Sequence, residues 1–339
     1  VLFGLSDPDN PAAQTPITIA GVLGDGLEIL QNLGIGVPNS IVLDLRGVVE
    51  TEAHAVYTQA TWRPLDWFGV TLGARYQDED RGVVKAFSGL SRQPDQPIQL
   101  FDFRKESANT QNVAPKITLD FRPFGDDTML YTSWQKGFKS GTYNVVTIYT
   151  PPSYVEPEEV IAVELGLKGS LLDGTLGYNM ALFRNEIKDL QTLVVSLTSG
   201  GAVQLANAAE AEIKGVEFDL TWQAFPELLP GFVITSSGSY LDAVYKSFPY
   251  APGFDETTGG FFGPNALIPS PPRDFAGNTP VRTPEFSGTL GLSYTVDIWG
   301  GPLELGANAS YNSGYFYDTQ NTTEQPSYTI LNGRVSYLY

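Results

Sequence analysis

The side chains able to do chemistry are few in kind. The chain has no cysteine and a single histidine, His54. Disulfides, thiolate zinc sites and cysteine nucleophiles are thereby excluded, and so is a two-histidine metal site. A histidine-centred triad needs partners that the sequence does not assemble, so His54 reads as structural. Carboxylates cluster at Asp78-Glu79-Asp80 and at Glu156, Glu158 and Glu159. Calcium takes several such oxygens, but a solvated charge run has the same appearance and is the preferred reading. Residues 135–141, Gln-Lys-Gly-Phe-Lys-Ser-Gly, invite comparison with a phosphate loop but lack its spacing. No catalytic residue, metal site or cofactor is assigned.

Aromatic rings are the remaining candidates. Tyr245, Phe248, Tyr250, Phe254, Phe261, Phe262 and Phe275 fall within residues 243–282, and Tyr315, Phe316 and Tyr317 form a second knot. Rings on an exposed loop stack on a catecholate, corrin or sugar. The ligand-binding candidates are therefore Tyr245, Phe248, Tyr250, Phe254, Phe261, Phe262, Tyr315 and Tyr317. The blander reading, which we favour, makes them the core of a long loop or part of an interfacial belt. Glu164, Lys168, Glu217, Asp219 and Arg334 fall on polar strand faces, where ion pairs across a wall would stiffen it.

The elements that position these groups follow from periodicity. Leu303, Leu305, Ala307, Ala309 and Tyr311 alternate with Glu304, Gly306, Asn308, Ser310 and Asn312. The same period of two recurs along the chain, with charges on one face and almost none on the other. Eleven strands of membrane-spanning length are expected, at about 49–62, 68–78, 111–122, 128–137, 158–169, 175–188, 211–223, 231–242, 283–295, 303–313 and 328–339. Short turns alternate with long polar links near 79–110, 138–157, 188–210, 243–282 and 314–326. Trp62, Phe68, Tyr76, Phe121, Trp134, Trp222, Tyr294, Tyr311 and Tyr337 gather at the strand ends, as in the girdles of membrane barrels. A short hairpin is expected at 192–197 with 203–206, and a short helix near 26–33. Residues 1–48 read as an extracellular loop region and 49–339 as the strands. The fold class is all-β, a transmembrane antiparallel barrel.

Composition agrees. Gly numbers 35, Pro 24 and Tyr 17 in 339 residues, which favours strands, turns and loops. The net charge of −18 argues against a nucleic-acid partner. No apolar stretch approaches the length of a spanning helix.

From about Val49 the chain resembles the TonB-dependent receptors of Gram-negative outer membranes, of the siderophore and iron-complex type. The resemblance rests on an ordered series: residues 55–60 Ala-Val-Tyr-Thr-Gln-Ala; 73–76 Gly-Ala-Arg-Tyr; 114–117 Ala-Pro-Lys-Ile; 130–131 and 135–141; 158–159 with 164–168 Glu-Leu-Gly-Leu-Lys; 183–185 Phe-Arg-Asn with 188–191; 207–208 with 213–217 Ile-Lys-Gly-Val-Glu; 278–280 with 284–285; and 331–332. It implies the later half of a twenty-two-stranded barrel, with an N-terminal plug and the last strands outside this chain. It further implies active uptake of a bulky scarce solute, usually a ferric siderophore, across the outer membrane. The implied partners are a small-molecule or metal-chelate ligand, outer-membrane lipid and lipopolysaccharide, and the TonB–ExbB–ExbD complex acting through the plug. A porin, or a receptor for cobalamin or a saccharide, is the alternative. An outer-membrane enzyme or a soluble β module fits the residues less well.

Overall fold

The computed structural model describes residues 42–91, 98–148, 150–196, 202–207, 210–249, 251, 253–255, 260–262 and 273–338. Eleven long strands dominate: β1 (Val42–Leu65), β2 (Phe68–Ser91), β3 (Glu106–Phe121), β4 (Thr128–Lys139), β5 (Glu158–Leu171), β6 (Leu176–Lys188), β7 (Glu210–Gln223), β8 (Phe232–Ser247), β9 (Phe286–Ile298), β10 (Gly301–Phe316) and β11 (Glu324–Tyr337). Each pairs antiparallel with its sequence neighbours, so the sheet order is the chain order, with β1 and β11 at its edges. The eleven strands form part of a barrel wall. The expected short helix near 26–33 lies outside the described residues.

The expected strands are all present, but several are longer than alternation alone suggested. β1 starts at Val42, inside the segment read as a loop, and β2 runs to Ser91 rather than to 78. Residues 79–91 are less regular in hydropathy, yet they pair with β1 on both sides of a bulge at Val84. At about 3.3 Å per residue, 24 residues reach roughly 80 Å, far beyond the thickness of a membrane's apolar layer. The first strands therefore stand well clear of the bilayer.

The short turns are built by local chemistry. Ile298 pairs with Gly301, which leaves Trp299 and Gly300 as a two-residue turn with φ of +51° and +88°. Two positive values define the hairpin turn whose twist matches that of its strands. At the β5–β6 turn Leu172, Asp173 and Gly174 all have positive φ. The longer links carry small hairpins of their own: Thr142–Asn144 with Ser153–Val155, Gln191–Ser196 with Ala202–Asn207, and Gly253–Asp255 with Gly260–Phe262.

Register decides which side chains share a face. One row reads Ile117, Trp134, Val163 across β3 to β5; another reads Leu130, Leu167, Met180, Phe218 across β4 to β7. Leu292, Ala307 and Gly333 continue the apolar face across β9 to β11. These rings and branched chains are exposed: Leu165 is 46%, Leu182 52% and Leu290 49% accessible. An apolar surface of this extent is untenable in water, and its natural solvent is lipid. Rings flank the band at its short-turn edge, where Trp67, Phe68 and Phe121 cluster, Phe232 meets Tyr294 and Trp299 meets Tyr337. At the long-link edge Phe286 packs on Tyr311.

Glycines in the wall are covered by rings. A Cβ on Gly166 would strike the Tyr131 ring, and one on Gly238 would meet Phe218 at 2.8 Å. The ring packs onto bare backbone and supplies the side-chain contact that glycine lacks.

Candidate functional site

The opposite face of the wall is polar and is the side a barrel closes around. Its side chains are neutral in long stretches. Ser239 and Ser287 hydroxyls lie 2.9 Å apart, those of Thr289 and Ser310 3.0 Å apart, and the Asn332 amide donates to Asn308 at 2.8 Å. Glu217 and Asp219 line the same groove as these hydroxyls. Further round, the Tyr131 hydroxyl donates to Glu164 at 2.6 Å while the Lys168 ammonium sits 5.6 Å above the Tyr131 ring. The ion pairs expected among Glu164, Lys168, Glu217, Asp219 and Arg334 do not form among the described residues. Near the turn end the buried Asp120 instead pairs with Arg63 at 2.8 Å and with Arg122 at 3.6 Å.

Strand alternation splits the two carboxylate runs. Glu79 turns inward, is buried, pairs with Arg81 at 2.8 Å and accepts from Ser140 at 2.8 Å. Asp78 and Asp80 turn the other way, where Asn109 donates to both. Glu158 accepts the Gln191 N–H at 2.8 Å, whereas Glu159 pairs with Lys136 on the apolar-band face. Neither run converges on one point, and no group of three or more carboxylates or histidines among the described residues is arranged to hold a metal ion. His54 sits on β1 within 3.3 Å of Glu52. Residues 135–139 are extended strand within β4, not a phosphate-binding turn.

Above the polar face the links lock together through side-chain amides. The Asn144 amide donates to the Leu205 carbonyl at 2.8 Å and accepts the Leu205 N–H at 2.9 Å. Asn207 bridges the Glu156 and Asp189 carbonyls, and Gln191 bridges those of Ser140 and Glu156. Each amide substitutes for a strand partner that the links lack. The hairpin at 191–207 is thereby tied to the link between β4 and β5. Sequence reasoning gave these three amides no role; asparagine and glutamine beside short strands were the available signal.

The aromatic candidates divide. Tyr245 lies on β8 and is 1% exposed; Phe248 follows the strand end and is 4% exposed. They pack on Phe275, with ring centroids 5.1 Å apart for Tyr245–Phe248 and 5.9 Å for Phe248–Phe275, and on Ile187, Ala211 and Ala251. Their apolar surface is taken up in fastening the 248–282 link to the wall, as in the favoured reading of these rings as loop core. Phe254 and Phe261 are backbone partners in the small hairpin, and Phe262 pairs with Gly253. Tyr250 lies outside the described residues. Tyr315 and Tyr317 meet edge to face at 5.2 Å, and Tyr317 is 47% exposed with its hydroxyl 3.0 Å from Gln325. Tyr315 lines a rim hollow with Tyr240, Asp242, Glu285 and Glu324. Burial raises the affinity of the Tyr143 hydroxyl for its proton, and the nearby Glu106 carboxylate adds to this.

Comparison with known proteins bears on what this wall belongs to. The chain is 27% identical over 217 residues to the pesticin receptor of Yersinia enterocolitica, covering 63% of this chain and 30% of that protein. It is 25% identical over 239 residues to a probable TonB-dependent siderophore receptor of Acinetobacter baumannii, PiuA, covering 68% and 28%. It thus spans less than a third of the length of these relatives. In structure it superposes on the ferric yersiniabactin uptake receptor FyuA of Yersinia pestis with a TM-score of 0.65 at 20% identity, covering 88% of this chain and 40% of that one. The crystal structure of PiuA gives 0.59 at 20% identity, covering 85% and 37%. The family model for the TonB-dependent receptor-like β-barrel matches residues 13–338. The chain therefore belongs to the TonB-dependent receptor β-barrel family, transporters of the Gram-negative outer membrane rather than enzymes.

Proposed function

We propose that this chain forms the barrel wall of a receptor that takes up a ferric siderophore or similar iron chelate, driven by TonB–ExbB–ExbD through a plug domain. The observation that carries the reading is the family match over 13–338, together with relatives named for siderophore uptake. The wall chemistry supports it. A barrel of this class is wide enough to need a plug, and a lumen wall of serine, threonine and asparagine offers a wet, weakly binding surface to a passing solute. Capture falls to the rim, where the links fastened by Asn144, Gln191 and Asn207 surround the lumen mouth. Among the aromatic candidates the exposed Tyr317 and its partner Tyr315 stand as the proposed ligand contacts, with Phe254, Phe261 and Phe262 on the small hairpin and Tyr250 shortly before it in sequence.

Deletion of the gene in a host stripped of redundant receptors, followed by growth and radiolabelled iron uptake on a panel of ferric chelates, tests this. Loss of uptake of one chelate, restored by the wild-type gene and abolished again without TonB, is the expected outcome. Undiminished uptake of every chelate would overturn it. TonB-independent diffusion of small solutes would favour a passive porin, and uptake of cobalamin or a saccharide instead would move the cargo class.

A further inference from the structure

The register places both buried apolar clusters of the rim on the lumen side of the wall. Val160, Ile187, Ala211 and Tyr245 form one row across β5 to β8. Farther down the same faces, Gly166, Ala181, Glu217 and Ser239 form another row, within the polar lumen wall. Phe248, Ala251 and Phe275 of the β8–β9 link pack on the upper row. That link therefore turns inward at its base. The second cluster repeats the arrangement on β1 and β2. Val49 pairs with Val83 on the strand face that carries Glu79, and the bulge at Val84 keeps Ala86, opposite Gly47, on that face. Tyr143, Val145 and Tyr154 of the β4–β5 link pack there, with Val145 over the bare backbone of Gly47.

The hairpin at 191–207 joins the two inward links. Asn144 of one link exchanges two hydrogen bonds with Leu205 of the hairpin, and Leu190 at the hairpin's foot packs on the cluster around Tyr245. The covering is thus continuous from β1 to β8. The wall from β9 to β11 differs. Ser287, Asn312 and Tyr328 continue the row of Ala181, Glu217 and Ser239. There they line an open hollow of about 440 Å³. The β10–β11 link is fastened to residues 278 and 279 by side-chain amides: Asn278 donates to the Thr319 carbonyl at 3.0 Å, and Asn321 exchanges two bonds with Thr279. Among the described residues no buried apolar cluster stands over these three strands. Apolar burial of this kind resists opening, because lifting the link returns the rings to water.

We infer that the links over β1 to β8 form a fixed inward roof on the lumen, and that solutes enter the lumen over β9 to β11. The two halves of the mouth then have different duties. The roofed half excludes, and the open half leads onto the hydroxyl-lined hollow of Ser287 and Asn312. The inference rests on the barrel wall and not on the identity of the cargo.

The chain has no cysteine, so single thiols can report access. The full-length receptor, with any cysteine outside this chain changed to serine, carries either Ala181→Cys or Ser287→Cys, two positions of one lumen row. Intact cells are treated with a membrane-impermeant maleimide on a polyethylene glycol chain, and labelling is read as a gel shift. Heat-modifiable migration verifies that each barrel is folded, and full labelling of denatured protein verifies each thiol. Ser287→Cys should label about tenfold faster, or more, than Ala181→Cys. Adding Tyr245→Ala should raise labelling at Ala181→Cys by about tenfold or more and leave Ser287→Cys unchanged, since access follows the open population of the link. Asn144→Ala/Asn207→Ala frees the hairpin and leaves both apolar clusters intact, so it serves where Tyr245→Ala fails to fold, and it should act in the same direction. Equal labelling of the two positions, no labelling at Ser287→Cys, or no rise at Ala181→Cys in either loosened receptor would each overturn the inference. Thiol access and chelate uptake are separate readouts, so this inference and the uptake reading fail independently.

Discussion

Tyr245 gives the sharpest test of how the 248–282 link is held. Its ring is buried against Phe248, Ile187 and Ala211, and its hydroxyl has no hydrogen-bond partner of good geometry among the described residues. The two halves of the side chain should therefore behave differently. Tyr245→Ala removes the ring and leaves a cavity, which costs about 3–5 kcal/mol for aromatic-to-alanine changes in a core. Tyr245→Phe removes a buried hydroxyl whose approaches to Thr192 and the Val281 backbone fall outside good hydrogen-bond geometry, so it should lie within about 1 kcal/mol of neutral. The wall itself is held by its strand ladder, so the cost appears as local opening of the link rather than loss of the barrel. When opening is fast relative to cleavage, the cutting rate follows the open population. About 3–5 kcal/mol then corresponds to a rise in cleavage of roughly two to three and a half orders of magnitude, since 1.4 kcal/mol is tenfold. Limited proteolysis of the detergent-solubilised receptor, with cut sites mapped by mass spectrometry, reads this directly. Cleavage in Tyr245→Ala no faster than in the wild type, or Tyr245→Phe cut as fast as Tyr245→Ala, would refute the reasoning.

Other perturbations probe the wall and the rim. Leu165→Arg places a charge on the exposed apolar face and should destabilise the membrane-inserted barrel by about 2–4 kcal/mol in lipid unfolding titrations, while Ser237→Arg on the polar face should cost far less. Asn144→Ala removes both bonds to Leu205 and should cost about 1–3 kcal/mol locally, seen as faster amide exchange at 202–207 with no change in β1–β3. Gly166→Ala drives a methyl into the Tyr131 ring and should cost about 1–3 kcal/mol; Gly166→Ala/Tyr131→Ala should recover part of that, a non-additivity that a thermal-melt cycle would measure. Asp120→Asn leaves Arg63 without its buried carboxylate; because Arg63 is 40% exposed, about 1–3 kcal/mol is expected by chemical denaturation, below the figure for a fully buried pair.

Much of the wall was legible in the sequence because a strand's side-chain period is two and its two solvents differ. Alternation such as Leu303 to Asn312 both marks the strand and says which residues share a face, and register then preserves that assignment from β1 to β11. Periodicity faded where both faces leave the lipid. The upper part of β2, residues 79–91, carries Val83, Val84, Ala86 and Phe87 out of strict alternation around a bulge, so it reads as a link, and only its pairing with β1 reveals a strand. Composition likewise offers loop aromatics as candidates without separating those left exposed from those that hold a link in place. Tyr245 and Phe248 look in sequence like Tyr315 and Tyr317. What distinguishes them is whether another element closes over the ring, and that is a matter of packing between segments far apart in the chain.

The charge runs make the same point from the other direction. Asp78, Glu79 and Asp80 are neighbours in sequence but lie on opposite faces of a sheet, so their proximity carries no common site. Arg184, Glu212, Lys214 and Lys246 are scattered over three strands, and a register shift brings them to one spot. The sequence by itself determined the class of protein, the number of strands and the split between lipid and lumen, because these follow from local alternation. Only the tertiary structure decided which rings are core, which amides clasp the rim and where charges converge, because those depend on contacts across strands and between links that no local pattern encodes.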